Sequence, residues 1–173
     1  MERCNSLDKK ITELETLIKA LIIEHESMAL LLEKKREALR SGDGKQLTLF
    51  AQSESKQLNR IAELEKNRLS LVANITLLIN PNAPQPMKLM QLAEALGEPQ
   101  RGRLLMLRHQ LLKRMEQVKN QASVARQASE SILKHMNGLV ATVSAFCTGV
   151  PTYNATGNRP KEALKVSTFS AIA

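Results

Sequence analysis

The sequence predicts an all-α protein: a long antiparallel helical hairpin and a third long helix forming an elongated three-helix, coiled-coil-like bundle, with a short linking helix and an irregular C-terminal tail. That expectation rests on composition, on where the helix breakers fall, and on apolar periodicity. Leu, Ala, Lys, Glu, Gln and Arg dominate the 173 residues, and all six are good helix formers. Hydrophobic residues make up 43% of the chain but aromatic ones only 2%, namely Phe50, Phe146, Phe169 and Tyr153. Such material buries a seam between helices and lacks the large rings that fill a wide core. Gly and Pro together number 13 and sit mostly in three short stretches, so they separate helices.

The first helix is expected over about residues 6–40. Two interleaved sevenfold series run through it: Leu7, Leu14, Leu21, Met28 and Lys35, and Ile11, Ile18, His25, Leu32 and Leu39. Asn5 or Ser6 can cap its start, and Ser41-Gly42 can stop it, because Gly tolerates the left-handed conformation of a helix end. His25 reads as a polar residue that sets register within the stripe, and Lys35 as a side chain that snorkels.

Asp43 can cap the second helix, expected over 44–79, and so short a connection forces the two helices back along one another. Its apolar positions are Leu47, Phe50, Leu58, Ile61, Leu64, Leu71, Val72, Ile75, Leu78 and Ile79. Glu54, Gln57 and Arg68 occupy places where strict heptads want apolar groups, so the period is nearer 3.6. Asn80-Pro81-Asn82-Ala83-Pro84-Gln85-Pro86 breaks this helix. Residues 88–96 make a short amphipathic helix, read as a lid on the bundle end, before Gly97 and Pro99.

The third long helix, expected over 101–147, keeps one sevenfold series throughout: Leu104, Leu111, Val118, Ala125, Ile132, Leu139 and Phe146. The companion series Arg108, Met115, Ala122, Ser129, Met136 and Val143 is weak between 120 and 131, which must pack closely or hardly at all. Met28, Met115 and Met136 lie at core spacing and read first as packing residues, with adaptable partner contact second. Residues 1–147 are thus expected to form a single elongated helical domain and residues 148–173 a flexible tail.

At about 1.5 Å per residue, the third helix should extend roughly 65 Å against roughly 50 Å for each hairpin helix. Packed antiparallel to the second helix, it outruns the hairpin in its C-terminal portion. There Ile132, Met136, Leu139, Val140, Val143 and Phe146 form an apolar face with no mate left in the chain, which is the mark of an interaction surface.

The formal net charge is +8, from 25 Lys plus Arg against 17 Asp plus Glu. Residues 81–173 hold 12 basic and 5 acidic residues, so the excess belongs to the C-terminal half. Arg101, Arg103, Arg108, Lys113, Arg114, Lys119 and Arg126 could follow a phosphate backbone, which makes a basic helical nucleic-acid binder one alternative. Against it, no aromatic residue lies among them for stacking, and Glu13, Glu24 and Glu33 of the first helix offer acidic partners. A structural coiled coil that self-associates through the apolar face is another alternative. No run of 18 uninterrupted apolar residues exists, which argues against membrane insertion and for a cytosolic protein. Cys4 and Cys147, near opposite ends, read as free thiols in a reduced compartment.

The residues give no catalytic or metal site and call for no cofactor. The positions three before His25, His109 and His135 are Ile22, Met106 and Ile132, so no Glu-x-x-His motif for a di-iron bundle exists. His25-Glu26 opens like a zinc-protease helix, but the position four after the histidine is Ala29. Gly42-Asp43-Gly44-Lys45 lacks the preceding strand, the spacer and the following Ser or Thr of a phosphate loop. Asp occurs only at Asp8 and Asp43, and the Glu residues are spread over helix surfaces, so no carboxylate pair for acid–base work is indicated. The chain is not expected to be an enzyme.

Three stretches, in this order, resemble the FlgN family of flagellar export chaperones. The first runs from Leu30 to Asp43 and is similar to a family helix that ends in a Leu-x-Ser/Gly-Gly-Asp-like turn. The second is Leu92-Ala93-Glu94-Ala95-Leu96 with the Gly-Glu-Pro that follows it and the long helix beyond. The third comprises Val118-Lys119-Asn120-Gln121, Ser129 to Leu139, and Thr152-Tyr153-Asn154-Ala155-Thr156-Gly157, which looks like the family's Tyr-x-x-x-Gly tail. The basic third helix departs from the family's acid-rich pattern. The resemblance implies a cytosolic chaperone that holds helical C-terminal segments of flagellar hook-associated (hook–filament junction) proteins before type III export, prevents their premature association and brings them to the export gate. Combined with the apolar face, it assigns partner contact to Ile132, Met136, Leu139, Val140, Val143 and Phe146. Tyr153 becomes a candidate for contact with the export gate, where gate or export-ATPase components would be the second class of partner.

Overall fold

The computed structural model describes residues 2–147, with side chains from residue 6 to residue 146. Four helices follow one another: α1 Glu2–Ser41, α2 Gly44–Ile79, α3 Leu89–Leu96 and α4 Gln100–Cys147. No strand occurs among the described residues, and the tail expected over 148–173, with Tyr153, lies outside them. The chain divides into two compact units, residues 1–128 and 129–173.

In the first unit the hairpin turns where its local chemistry dictates. Gly42 takes φ +69°, the left-handed conformation that a Cβ disfavours, and the Asp43 N–H closes the end of α1 on the Ala38 carbonyl at 3.1 Å. Asp43 then caps α2, its Oδ1 accepting the Gln46 N–H at 3.0 Å. The helices run antiparallel, as their side-chain pairs show. Glu24 of α1 meets Arg60 of α2 at 2.8 Å, whereas Lys35, further along α1, meets Glu54, further back along α2. Gln57 Nε2 donates to the Glu24 carbonyl at 2.9 Å. The polar interruptions of the α2 stripe are therefore seam residues with named partners, and Arg68 pairs within its own helix with Glu65.

α4 lies parallel to α1 within this unit. Arg103 Nε is 2.8 Å from Glu15 Oε1, and Arg114 pairs with Glu26, so the same offset of 88 positions relates both contacts. The core is built from one apolar triplet of each long helix, Leu14, Ile18 and Leu21 of α1, Leu71, Val72 and Ile75 of α2, and Leu104, Leu107 and Leu111 of α4. Leu92 and Ala93 of α3, both fully buried, close the end of that core. The entry to α3 is tied down by Thr76, which is 1% exposed. Its Oγ1 donates to the Val72 carbonyl at 2.8 Å and accepts the Met87 N–H at 3.0 Å.

Several expectations need correcting. α1 begins at Glu2, ahead of the proposed caps at Asn5 and Ser6, because no Gly or Pro interrupts that stretch. Leu58 and Leu78 are exposed, since Glu54, Gln57 and Arg68 occupy the middle of the α2 buried side and push the apolar stripe off those positions. Met28 is core, but Met115 and Met136 are exposed. The acidic partners of Arg103 and Arg114 are Glu15 and Glu26. Glu24 is taken by Arg60, and Glu33 lies 3.9 Å from Arg36 of its own helix. In the weak stretch of α4, Ala125 is buried while Val124 is exposed, so a small side chain makes the close contact.

Candidate functional site

α4 changes character along its own sevenfold series. Leu104, Leu111 and Ala125 are buried, at 0%, 8% and 4% exposure, whereas Ile132, Leu139 and Phe146 stand at 38%, 53% and 87%. Nothing in the pattern of residue types marks the change. Within the first unit the offset of 88 positions between α1 and α4 sets which α4 residues face the hairpin.

The second unit, taken by itself, carries the six described candidate residues on one side of α4. At 100° per residue, Ile132, Met136, Leu139, Val140, Val143 and Phe146 fall within one apolar arc. Met136, Val140 and Val143 are exposed like their neighbours, and Leu133 beside them extends the apolar surface. Thr142, at its margin, turns its hydroxyl back to the Gly138 carbonyl at 2.9 Å and so offers no competing donor. Glu130 and Lys134 are the only Asp, Glu, Lys or Arg between Ser129 and Cys147. Attachment to this surface must rest on removal of apolar area from water, at about 25 cal/mol per Å². An exposed apolar arc of this width is one along which an amphipathic helix can lie. Tyr153 lies outside the described residues.

The basic run of α4 is partly committed to the first unit. Arg103 and Arg114 hold α1 carboxylates, and Arg114 also donates to Gln117 Oε1 at 3.1 Å. His25 sits half-buried in the α1 stripe with Nδ1 2.8 Å from the Leu21 carbonyl, a contact that satisfies one ring nitrogen locally. Among the described residues no group of three or more His, Cys, Asp or Glu could hold a metal ion, and no helix is long and apolar enough to cross a membrane.

One concavity escaped the sequence reading. A groove of about 410 Å³ runs between α2 and α4 beside the segment that enters α3. Val72 and Leu111 form its floor, and the exposed Leu69, Leu112 and Met115 its walls. Arg68 projects here with its guanidinium held above its ordinary pKa by the hydrogen bonds to Glu65 and the charge of that carboxylate, against the opposing effect of burial. The signal was present as leucines lying off the buried sides of two helices, but only packing brings Leu69 and Leu112 to the same groove.

Compared with models of known protein families, residues 1–161 match the one described as FlgN protein. No curated protein and no solved structure matches the chain.

Proposed function

The chain belongs to the FlgN family of flagellar export chaperones, and from that premise we propose that it is a cytoplasmic chaperone for hook-associated proteins of the hook–filament junction. It holds their helical C-terminal segments, keeps them from associating prematurely and delivers them to the type III export gate. The observation that carries this reading is the α4 series that is buried at Leu104 and Leu111 and exposed from Ile132 to Phe146. A secreted subunit's terminal helix presents an apolar stripe of its own, and laying the two stripes together removes both from water without covalent chemistry or nucleotide. Ile132, Met136, Leu139, Val140, Val143 and Phe146 make that contact, and Tyr153 contributes to recognition by the gate.

The test is co-purification of each hook-associated protein with the wild-type chain and with the Leu139→Asp/Val143→Asp variant, alongside circular dichroism. The variant should lose the client while keeping its helicity nearly unchanged, since both residues are more than half exposed. Normal client binding by the variant overturns the assignment of the surface. Tight self-association of the wild-type chain that the client cannot displace, seen by analytical ultracentrifugation, overturns the chaperone role of that face.

A further inference from the structure

The α4 stripe leaves the groove between α2 and α4 unexplained. We propose that this groove is a second docking site, occupied by a short amphipathic helix of another protein whose apolar edge is flanked by carboxylates. The proposal does not depend on what binds the second unit.

Apolar side chains line a concave surface here rather than a convex one. Leu69, Leu112 and Met115 are each close to half exposed, at 54%, 47% and 46%, around a floor that is already buried. The walls span residues 65–72 of α2 and 108–115 of α4, about 10 Å of helix, which accommodates roughly two turns of an incoming helix anchored at i, i+3 or i+4, and i+7.

The rim selects the charge of the occupant. Glu65, its sole carboxylate, is engaged by Arg68 through two hydrogen bonds. Arg108 is half-buried in the groove and Lys88 stands at its edge, and neither side chain has a carboxylate partner among the described residues. Two uncompensated cations beside an apolar floor favour a segment that supplies carboxylates next to its apolar anchors. The chain's own residues 148–173 have the wrong sign for this role, with Arg159, Lys161 and Lys165 against Glu162.

The experiment uses the full chain with methyl-labelled methionine and two synthetic helical peptides of identical Leu pattern, one flanked by Glu and one by Lys. The Glu peptide should shift the Met115 and Met87 signals in a saturable way, and the Lys peptide should bind at least fivefold more weakly. Arg108→Gln should weaken the Glu peptide roughly fivefold, as expected for one charge pair at a partly desolvated rim. Arg108→Glu should reverse the preference, which a merely disturbed fold could not do. The Leu139→Asp/Val143→Asp variant should bind the Glu peptide as the wild type does. Equal binding of the two peptides, shifts confined to Met136, or concentration-dependent dimerisation that Arg108→Glu abolishes would each overturn the proposal.

Discussion

Thr76 and Gln57 show how differently two polar side chains in the same helix contribute. Thr76 is 1% exposed and stands between the Val72 carbonyl and the Met87 N–H, so its hydroxyl is the link that fixes the entry to α3. Thr76→Val keeps the shape but leaves a partly buried N–H without an acceptor, which should cost about 1–3 kcal/mol in urea unfolding. Gln57 donates to the Glu24 carbonyl, which lies inside α1 and already accepts an intrahelical bond. Gln57→Leu should therefore change stability by less than about 1 kcal/mol. Arg103 and Glu15 form a pair whose arginine side chain is half exposed and whose glutamate side chain is largely buried, so Arg103→Ala, which strands that carboxylate, should cost about 1–3 kcal/mol. Arg68 gives no pH dependence near neutrality. Its pKa is raised in the folded state, so its stabilisation is fully present below the ordinary guanidinium value and is lost only as pH climbs through the higher one.

The turn between α1 and α2 and the two ends of α4 are tests of whole elements. Asp43→Ala removes the acceptor for the Gln46 N–H and should lower stability by about 1 kcal/mol, read as a shift in the thermal midpoint. Gly42→Ala should cost a similar amount, about 1–2 kcal/mol, because φ is +69° although open space surrounds the position. The contrast along α4 is sharper. Leu104 and Leu139 occupy equivalent places in one sevenfold series, yet one is fully buried and the other half exposed. Leu104→Ala should destabilise the first unit by about 2–5 kcal/mol, and Leu139→Ala should stay within about 0.5 kcal/mol in the same unfolding measurement.

At the scale of the molecule, the two candidate surfaces should answer differently to salt. The stripe from Ile132 to Phe146 has almost no charge around it, so client binding there should change little up to about 0.5 M salt. The groove rimmed by Arg108 and Lys88 should lose affinity for an acidic peptide over the same range, since its selectivity is coulombic. Measuring both by titration calorimetry separates them in a single chain. The four helices, their breaks and the capping of α2 by Asp43 were legible in the residues because each depends on neighbours within a turn or two. The apolar stripe of α4 was legible for the same reason. Helix lengths raised the expectation of an open face from Ile132 to Phe146, but which α4 residues meet α1, and how deeply each is buried, was not legible, since Leu104 and Leu139 satisfy the same pattern. That depends on the offset between α1 and α4, set where Glu15 and Glu26 meet Arg103 and Arg114, and on the groove side by how Leu69 and Leu112 converge. Periodicity is a property of one helix and follows from its sequence, whereas register and concavity are relations between helices and exist only once their side chains interlock.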